Sequence, residues 1–325
     1  MRKILVTGSN GQIGSELVPE LGRKFGFKNV ISSDLKPPLR NQNPFDGIFV
    51  QVDVLDIKRI EEIIKDYEIN TIFHLASLLS VKGENKPIET WDLNINGLFN
   101  ILEIGRKFGI KNIIWPSSIA VFGPTTPSVN TPNETILQPN TIYGITKVSG
   151  ELLIQYFFKK YGLDIRSVRL PGIISSKTRP SGGTTDYAVE IFFEAILNKK
   201  YECFVNENTI LPMMYISDCI KCMIDLLEAN PSKIKHRVYN VTSMSFTVGE
   251  LAAEIKKWIP DFNITYKPDF RQQIANSWPK TIDDSLARKE WNWNPHYNLQ
   301  SMTADMIEKL KKKEELKDIS DLREI

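Results

Sequence analysis

The chain has 325 residues, of which 42% are hydrophobic and 25% charged, with a formal net charge of +2. This composition is typical of a folded globular protein, and a near-neutral charge without a long basic run argues against a nucleic-acid partner. No apolar stretch is long enough for a membrane span or a signal peptide, so we expect no membrane association and a cytoplasmic location.

Short apolar runs alternate with helical patterns over the first half of the chain. The predicted strands are 3–6, 30–34, 48–53, 71–75, 113–117 and 164–169. The predicted helices between them are 11–25, 57–67, 88–108 and 143–161. Alternating strands and helices require right-handed crossovers and therefore a parallel sheet. The predicted fold is α/β, a Rossmann-type doubly wound parallel sheet.

The pattern changes after about residue 172. The segment 175–185 is rich in Ser, Gly, Thr and Pro and is predicted to be a loop, followed by a helix over 186–198. The tail over 308–315 is predicted to be a solvated surface helix. We predict a Rossmann domain over 1–172, joined by parts of about 206–245, and a smaller mixed C-terminal lobe over 173–205 and 246–325.

A glycine-rich turn links the first strand to the first helix. Gly8 permits the tight turn, Gly11 leaves the backbone open to a pyrophosphate, and Gly14 lets the helix lie close to the sheet. The helix N-terminus offers free N–H groups and a partial positive charge to phosphates. The alternative is a glycine-rich turn without a ligand. The candidate cofactor contacts in this turn are Gly8, Asn10, Gly11, Gln12, Ile13 and Gly14.

An acidic residue ends the second strand. Asp34 lies 20 residues beyond Gly14, where a carboxylate accepts hydrogen bonds from the adenosine ribose and repels a 2′-phosphate. This position favours NAD over NADP, although the nearby Lys36 weakens the preference. Asp53, followed by Val54, ends the third strand and is a candidate adenine contact, or alternatively a helix-capping acid.

Tyr143 and Lys147 are four residues apart at a predicted helix start and therefore share one face. A neighbouring ammonium favours the phenolate and lowers the pKa of a tyrosine, which is otherwise a poor base at neutral pH. Ser117 and Ser118 follow the fifth strand, at the sheet edge where ligands bind in doubly wound folds. Either they bind a substrate hydroxyl there, or they are ordinary turn residues.

Cys219 and Cys222 have the spacing of half a metal site or of a redox motif. No second pair and no nearby histidine completes such a site, so we predict no metal and interpret both cysteines as packing residues of a helix over 218–228. With Cys203 they are also too few for a disulfide scaffold, which favours a reducing compartment.

The order of these features along the chain resembles the extended short-chain dehydrogenase/reductase family. His74-Leu75-Ala76, Asn94-Ile95-Asn96-Gly97 and Arg169-Leu170-Pro171-Gly172-Ile173 match it as well. The resemblance implies a catalytic set of Tyr143, Lys147 and Ser118. It also implies that Asn94 supports the active site and that His74 is a packed polar residue. The further cofactor contacts that it implies are Leu75, Ala76, Ser77, Tyr143, Lys147 and Ile173.

Several segments are similar to one subgroup, the short-chain-type L-threonine 3-dehydrogenases. They are 182–190, 211–215, 115–118, 277–279 and Ser80 with 82–84. The implied substrate is L-threonine, whose C3 hydroxyl would be oxidised to a ketone with reduction of NAD. The candidate substrate contacts are Ser80, Ser117, Ser118, Tyr143, Thr184, Thr185 and Trp278. Alternatively, the two threonines only cap the helix that follows them.

The sequence is also compatible with two other functions. One is a nucleotide-sugar epimerase or dehydratase of the same family, which would keep NAD bound and need a larger pocket. The other is a non-catalytic NAD-binding sensor, which would typically lack the Tyr or the Lys. The resemblance further implies a homodimer formed by helices 88–108 and 143–161.

Overall fold

The computed structural model describes residues 2–38, 47–179 and 182–315. Their strands are β1 (Ile4–Thr7), β2 (Val30–Asp34), β3 (Ile48–Gln51), β4 (Thr71–His74), β5 (Asn112–Ile114), β6 (Ser117–Ser118), β7 (Ile165–Leu170), β8 (Gly172–Ile174), β9 (Lys200–Cys203), β10 (Ile210–Tyr215), β11 (Val238–Asn240), β12 (Met244–Thr247) and β13 (Asn263–Tyr266).

The helices account for most of the remaining described residues. They are α1 (Gly14–Phe25), α2 (Ile57–Asp66), α3 (Ser80–Asn85), α4 (Pro87–Trp91), α5 (Gly97–Phe108), α6 (Ile142–Tyr161), α7 (Tyr187–Leu197), α8 (Ile216–Glu228), α9 (Val248–Lys256), α10 (Phe270–Asn276), α11 (Ser285–Trp291) and α12 (Leu299–Glu315). A π-helical turn, Asp92–Asn96, joins α4 to α5.

The main sheet is parallel throughout and has the strand order β3-β2-β1-β4-β5-β7-β11, with the short β6 also paired to β7. Successive residues of a strand point to opposite faces. Leu5 accordingly joins a core under α2, α5 and α6, whereas Ile4 and Val6 join the core that includes α1 and α8. The predicted doubly wound Rossmann fold is confirmed.

Two small sheets lie outside the main one. One has the order β12-β10-β8 and the other pairs β13 with β9. β8 follows β7 after Pro171 alone, so the small sheet begins directly at the carboxyl edge of the main sheet. β11 returns to the main sheet from within the predicted 206–245 segment. The division into a Rossmann domain and a C-terminal lobe stays a prediction, and residues 180–181 and 316–325 of that lobe lie outside the described residues.

Two predicted elements have a different form in the structure. The fifth predicted strand, 113–117, is divided into β5 and β6, because Trp115 and Pro116 lie between them and proline has no N–H for the ladder. The predicted helix 88–108 is built from α4, the π-helical turn and α5. Such a turn holds one residue more than α-helical geometry allows, and turns of this kind are frequent at functional sites.

Cys219 and Cys222 are fully buried in α8, and burial raises the pKa of both thiols above the ordinary value. This placement agrees with their interpretation as packing residues. Across the described ranges, no helix has both the length and the apolar character that a membrane crossing requires.

Candidate active site

The glycine turn packs against the loop that follows β4. Gly8 has φ +72°, and a Cβ atom on it would lie 2.6 Å from the backbone nitrogen of Ala76. A Cβ on Gly14 would lie 2.4 Å from the carbonyl oxygen of Gly8. A Cβ on Gly11 would meet only that same oxygen, at an ordinary 3.4 Å. The fold itself therefore requires Gly8 and Gly14, whereas Gly11 leaves an open surface beside the start of α1.

No side chain caps the start of α1. The N–H groups of Ser15 and Glu16 donate to the carbonyls of Gly11 and Ile13, so an anionic ligand would meet the turn just before them, where the helix N-terminus attracts negative charge. The Gln12 amide donates to the carbonyl of Ile173 at 3.1 Å, which ties the turn to β8. The open surface at Gly11 and the uncapped helix fit a pyrophosphate.

Asp34 ends β2 beside the glycine turn. Its Oδ2 accepts a hydrogen bond from the backbone N–H of Asn10 at 3.0 Å, and the Asn10 amide donates to the carbonyl of Lys36 at 2.6 Å. The carboxylate is held at the turn and half-buried, where it can accept from a ribose. Asp53 is exposed and accepts from the N–H of Leu55 at 2.9 Å. The following helix, α2, is capped by Asp56, so the alternative interpretation of Asp53 as a helix-capping acid is wrong, and its role as an adenine contact stays a prediction.

One cavity of about 280 Å³ extends from the glycine turn to the end of β6 and the 182–186 segment. The predicted site residues that line it are Gly8, Gly11, Gln12, Ile13, Gly14, Leu75, Ser77, Ser80, Ser117, Ser118, Tyr143, Lys147, Ile173, Thr184, Thr185 and Trp278. The cavity formed by the described residues does not reach Asn10, Asp34, Asp53, Val54 or Ala76. Asn10 and Asp34 lie farther along the turn, and Val54 is buried beside Gly97.

His74 is buried at the end of β4, and its Nδ1 lies 2.7 Å from the Thr7 hydroxyl. Burial, reinforced by the charge of Lys147, lowers the pKa of His74 to about 3. The imidazole is therefore neutral, which agrees with its interpretation as a packed polar residue. No group of three or more metal-ligating side chains occurs among the described ranges.

Asn94 lies in the π-helical turn and binds the loop after β4. Its Oδ1 accepts from the Ser77 hydroxyl and the Leu78 N–H, at 3.0 and 2.9 Å. Its Nδ2 donates to the carbonyl of Leu78 and to the hydroxyl of Thr146 on α6, each at 3.1 Å. One amide thus joins the cavity wall to the helix that carries Tyr143.

The proton-transfer residues come together at the start of α6. Thr141 caps this helix by accepting from the N–H of Gly144, and Tyr143 and Lys147 follow on one face. The Lys147 Nζ donates to the carbonyl of Pro116 at 2.8 Å and lies 4.7 Å from the centre of the Trp115 ring. Ser118, on β6, lines the same cavity.

The pKa of Tyr143 differs in sign from the sequence-based expectation. Burial raises it to about 12, and a hydrogen bond with the Ser118 side chain lowers it only in part. Burial also lowers the pKa of Lys147 to about 7, against an opposing effect of Glu151. The expectation that Lys147 holds the pKa of Tyr143 low is wrong for this structure, because both groups are desolvated together and the ammonium is the group that loses its proton first.

Ser117 lines the cavity and is also bound to α6. Its hydroxyl donates to Oε1 of Glu151 on α6 at 2.6 Å, and both residues are buried. Its predicted hydroxyl contact with substrate stays a prediction, and because this hydroxyl donates to Glu151 it can serve a substrate only as an acceptor. Ser118 keeps its hydroxyl beside Tyr143, and that hydroxyl also accepts from the N–H of Ala120 at 3.2 Å.

The 182–186 segment closes the other side of the cavity. The hydroxyls of Ser80 and Thr184 lie 3.1 Å apart, and Asp186 accepts from the N–H groups of Gly182 and Gly183. No side chain caps α7, which begins at Tyr187. The alternative interpretation of Thr184 and Thr185 as helix caps is therefore wrong.

Two cationic side chains of the cavity wall, Lys82 and Arg179, were not assigned a role from the sequence, and neither was the Asp186 carboxylate. Arg179 falls in a segment rich in Ser, Gly, Thr and Pro. The signal that could have found it is a lone arginine in the loop between β8 and α7. Together these three residues place charges of both signs around the cavity.

The model of the NAD dependent epimerase/dehydratase family matches residues 4–242. The chain belongs to this family. The predicted extended short-chain dehydrogenase/reductase and its cofactor, NAD, are thereby confirmed, and this family member is an NAD-dependent oxidoreductase.

Among curated proteins, the chain is 45% identical over 319 residues to an uncharacterized epimerase/dehydratase of Staphylococcus aureus, covering 98% of this chain and 99% of that protein. Among solved structures, it is 51% identical to an L-threonine dehydrogenase from Clostridium difficile, with a TM-score of 0.93 and coverage of 96% and 98%. An L-threonine dehydrogenase from Phytophthora infestans is 49% identical, also with a TM-score of 0.93, and coverage is 96% and 100%.

Proposed function

We propose that this enzyme oxidises the C3 hydroxyl of L-threonine to 2-amino-3-oxobutanoate. The observation that carries the proposal is the 51% identity to an L-threonine dehydrogenase over 96% of this chain. The cavity supports it, because it brings Ser118 and Tyr143 together with the small polar side chains of Ser80, Thr184 and Thr185, which suit a small polar substrate.

The charges of the cavity wall suit a zwitterion. Arg179 and Lys82 offer cations to the carboxylate of an amino acid, and Asp186 offers an anion to its ammonium group. The candidate hydroxyl contacts are Ser80, Thr184 and Thr185, and Trp278, which is 7% exposed, excludes water at one wall. The pairing of the substrate carboxylate with Arg179 and Lys82, and of its ammonium group with Asp186, belongs to this proposal.

The chemistry follows from the chain's own residues. Ser118 and Tyr143 hold the C3 hydroxyl. The Tyr143 oxygen accepts its proton as the C3–H bond breaks, while the phenol proton that Tyr143 carries at neutral pH passes to the neutral amine of Lys147. When bound, NAD supplies the acceptor for the hydride. The pKa of Lys147 is about 7, so a large fraction of its amine is neutral at that pH and takes up positive charge when it receives the proton from Tyr143. The cofactor contacts proposed for this chain are the glycine turn, Asp34, Leu75, Ala76, Ser77 and Ile173.

The proposal is tested by NADH formation with L-threonine, its C3 epimer and L-serine. We expect L-threonine to give net NADH at the highest kcat/KM of the three. The epimerase alternative predicts no net NADH from L-threonine and conversion of a nucleotide sugar without net change in NAD. A non-catalytic sensor would bind NADH and give neither reaction, but the presence of both Tyr143 and Lys147 beside Ser118 argues against it.

We also propose a homodimer, formed through α4, α5 and α6. These helices carry exposed apolar side chains, among them Ile88 (77% exposed), Phe99 (44%), Leu152 (64%) and Tyr156 (48%). A concentration of large exposed apolar residues on neighbouring helices is typical of a protein interface. The cytoplasm stays our prediction for the compartment.

A further inference from the structure

A buried ion pair lies behind the proton-transfer residues. Arg169 on β7 donates from Nε and Nη2 to the two carboxylate oxygens of Glu151 on α6, at 2.9 and 2.8 Å. Glu151 is 1% exposed and Arg169 5%. The Nη1 of Arg169 also donates to the carbonyl of Asn133 and to Oδ1 of Asn240. Buried charges with this many partners are strongly constrained in position.

Glu151 reaches the end of the main sheet one helical turn beyond Lys147. Its Oε1 accepts a hydrogen bond from the Ser117 hydroxyl, while the Lys147 Nζ donates to the carbonyl of Pro116. α6 is therefore hydrogen-bonded to Pro116 and Ser117, the two residues directly before Ser118. Ser117 also pairs with Arg169, and Ser118 with Leu170, in the β6–β7 ladder. The position of the Ser118 hydroxyl is therefore fixed by the Glu151 carboxylate, by Arg169 and by the β6–β7 strand pairing.

The same carboxylate is the negative charge nearest along α6 to Lys147. Lys147 is 4% exposed, so its ammonium form has lost most of its hydration. Glu151 favours that ammonium, but the opposing charge of Arg169 reduces the effect. We propose that Glu151, restrained by Arg169, is a positioning residue that both anchors Ser118 through Ser117 and sets the fraction of Lys147 that is protonated. The proposal rests on Tyr143 and Lys147 being the proton-transfer pair and not on the identity of the alcohol.

The charge effect is tested with Glu151→Gln, which keeps the shape of the side chain and removes its charge. We expect the midpoint of the pH–kcat/KM profile to fall by about one pH unit, a tenfold change in the protonation equilibrium. The matched control is Glu290→Gln. It alters a carboxylate that is also buried and accepts from Tyr239 and His236, but that belongs to a different network. It should reduce stability and leave the midpoint in place.

A second readout uses the protein without cofactor or substrate. The pKa of Lys147 is about 7 when folded and about 10.4 when unfolded, so between these values the unfolded chain binds the extra proton and stability rises with pH. Urea unfolding free energies of the parent and of Lys147→Met are measured over a range of pH. Their difference gives the part of the pH dependence that is due to Lys147. In the Glu151→Gln background its onset should move to lower pH by the same amount as the kinetic midpoint.

The anchoring effect is tested with Ser117→Ala, which removes the hydrogen bond to Glu151 and keeps the charge. We expect kcat to fall about tenfold with an unchanged pH midpoint, the cost of roughly one hydrogen bond to a charged group. If Glu151→Gln does not fold, Glu151→Asp, which withdraws the charge by one methylene, should give a smaller shift in the same direction.

The proposal is overturned if neither Glu151 variant moves the onset in the cofactor-free protein. It is equally overturned if Glu290→Gln moves the onset as far as Glu151→Gln does. A failure of L-threonine as substrate would show only in the NADH assay and would leave the cofactor-free titration as a valid test.

Discussion

The Lys147 ammonium nitrogen lies 2.8 Å from the Pro116 carbonyl oxygen, and this hydrogen bond joins the catalytic helix α6 to the gap between β5 and β6. Proline has no N–H to donate, which is why the strand breaks there, but its carbonyl remains free to accept from Lys147. The break in the strand thus provides the acceptor that orients the lysine beside Tyr143.

The activity should rise with pH around neutrality. Burial places the pKa of Lys147 at about 7 and that of Tyr143 at about 12, so the first proton lost by the pair comes from Lys147. We expect kcat/KM to increase about tenfold per pH unit below the midpoint and to level above it. Lys147→Arg keeps a positive charge that is not lost in the accessible pH range, so we expect a low kcat/KM with no rise around neutrality. A wild-type profile that keeps rising to pH of about 10 would instead assign the titration to Tyr143 alone.

Replacing Tyr143 by phenylalanine should separate cofactor binding from turnover. The variant loses the hydroxyl that accepts the proton, and we expect kcat to fall at least about a hundredfold, as for loss of a general base. NADH affinity, measured by fluorescence, should change little because the ring remains. Turnover close to wild type would show that another group is the base.

Gly11→Ala should weaken NAD binding without changing stability, whereas Gly14→Ala should lower the stability of the fold. A Cβ at Gly11 meets nothing closer than 3.4 Å, so we expect wild-type stability with NAD affinity at least about tenfold weaker, or ~1.4 kcal/mol. A Cβ at Gly14 would lie 2.4 Å from the Gly8 carbonyl, and such overpacking costs about 1–3 kcal/mol. Thermal unfolding and NAD titration of both variants give the comparison. An unchanged NAD affinity in Gly11→Ala would contradict the assignment of the pyrophosphate to this turn.

The preference for NAD should depend on Asp34. Asp34→Asn keeps an acceptor for the Asn10 N–H but removes the charge that repels a 2′-phosphate. We expect the ratio of kcat/KM for NADP to that for NAD to rise about tenfold or more. Asp53→Asn is the control, because that exposed carboxylate binds only its own turn, and its ratio should stay at the wild-type value.

The proposed dimer should depend on Leu152. This side chain is 64% exposed on α6, so Leu152→Glu leaves the fold intact but places a charge in the apolar interface, where burial is costly. We expect monomers in light scattering. Val129→Glu, at a position 63% exposed and outside these helices, should stay dimeric. A wild-type protein that is monomeric at working concentration would refute the dimer.

The sequence predicted the sheet and the cofactor turn well, because alternation and glycine spacing are local signals. It also predicted that Tyr143 and Lys147 share a face. It could not predict the sign of their pKa shifts, since desolvation depends on what packs around them. The contact of Ser117 with Glu151 was missed for a similar reason: the two residues lie 34 positions apart and meet only through the fold.

The π-helical turn Asp92–Asn96 interrupts the regular α-helical hydrogen bonding, and in return it holds the loop after β4 against α6. Its extra residue disturbs the ordinary hydrogen-bond ladder, yet it is what directs the Asn94 amide to both Leu78 and Thr146. Deleting one residue from this turn would restore an unbroken α-helix while rotating the amide by roughly 100°. The helix would become more regular, and the loop beside the cavity would lose its tether to α6. The position of the loop beside the cavity therefore depends on the irregular part of this helix.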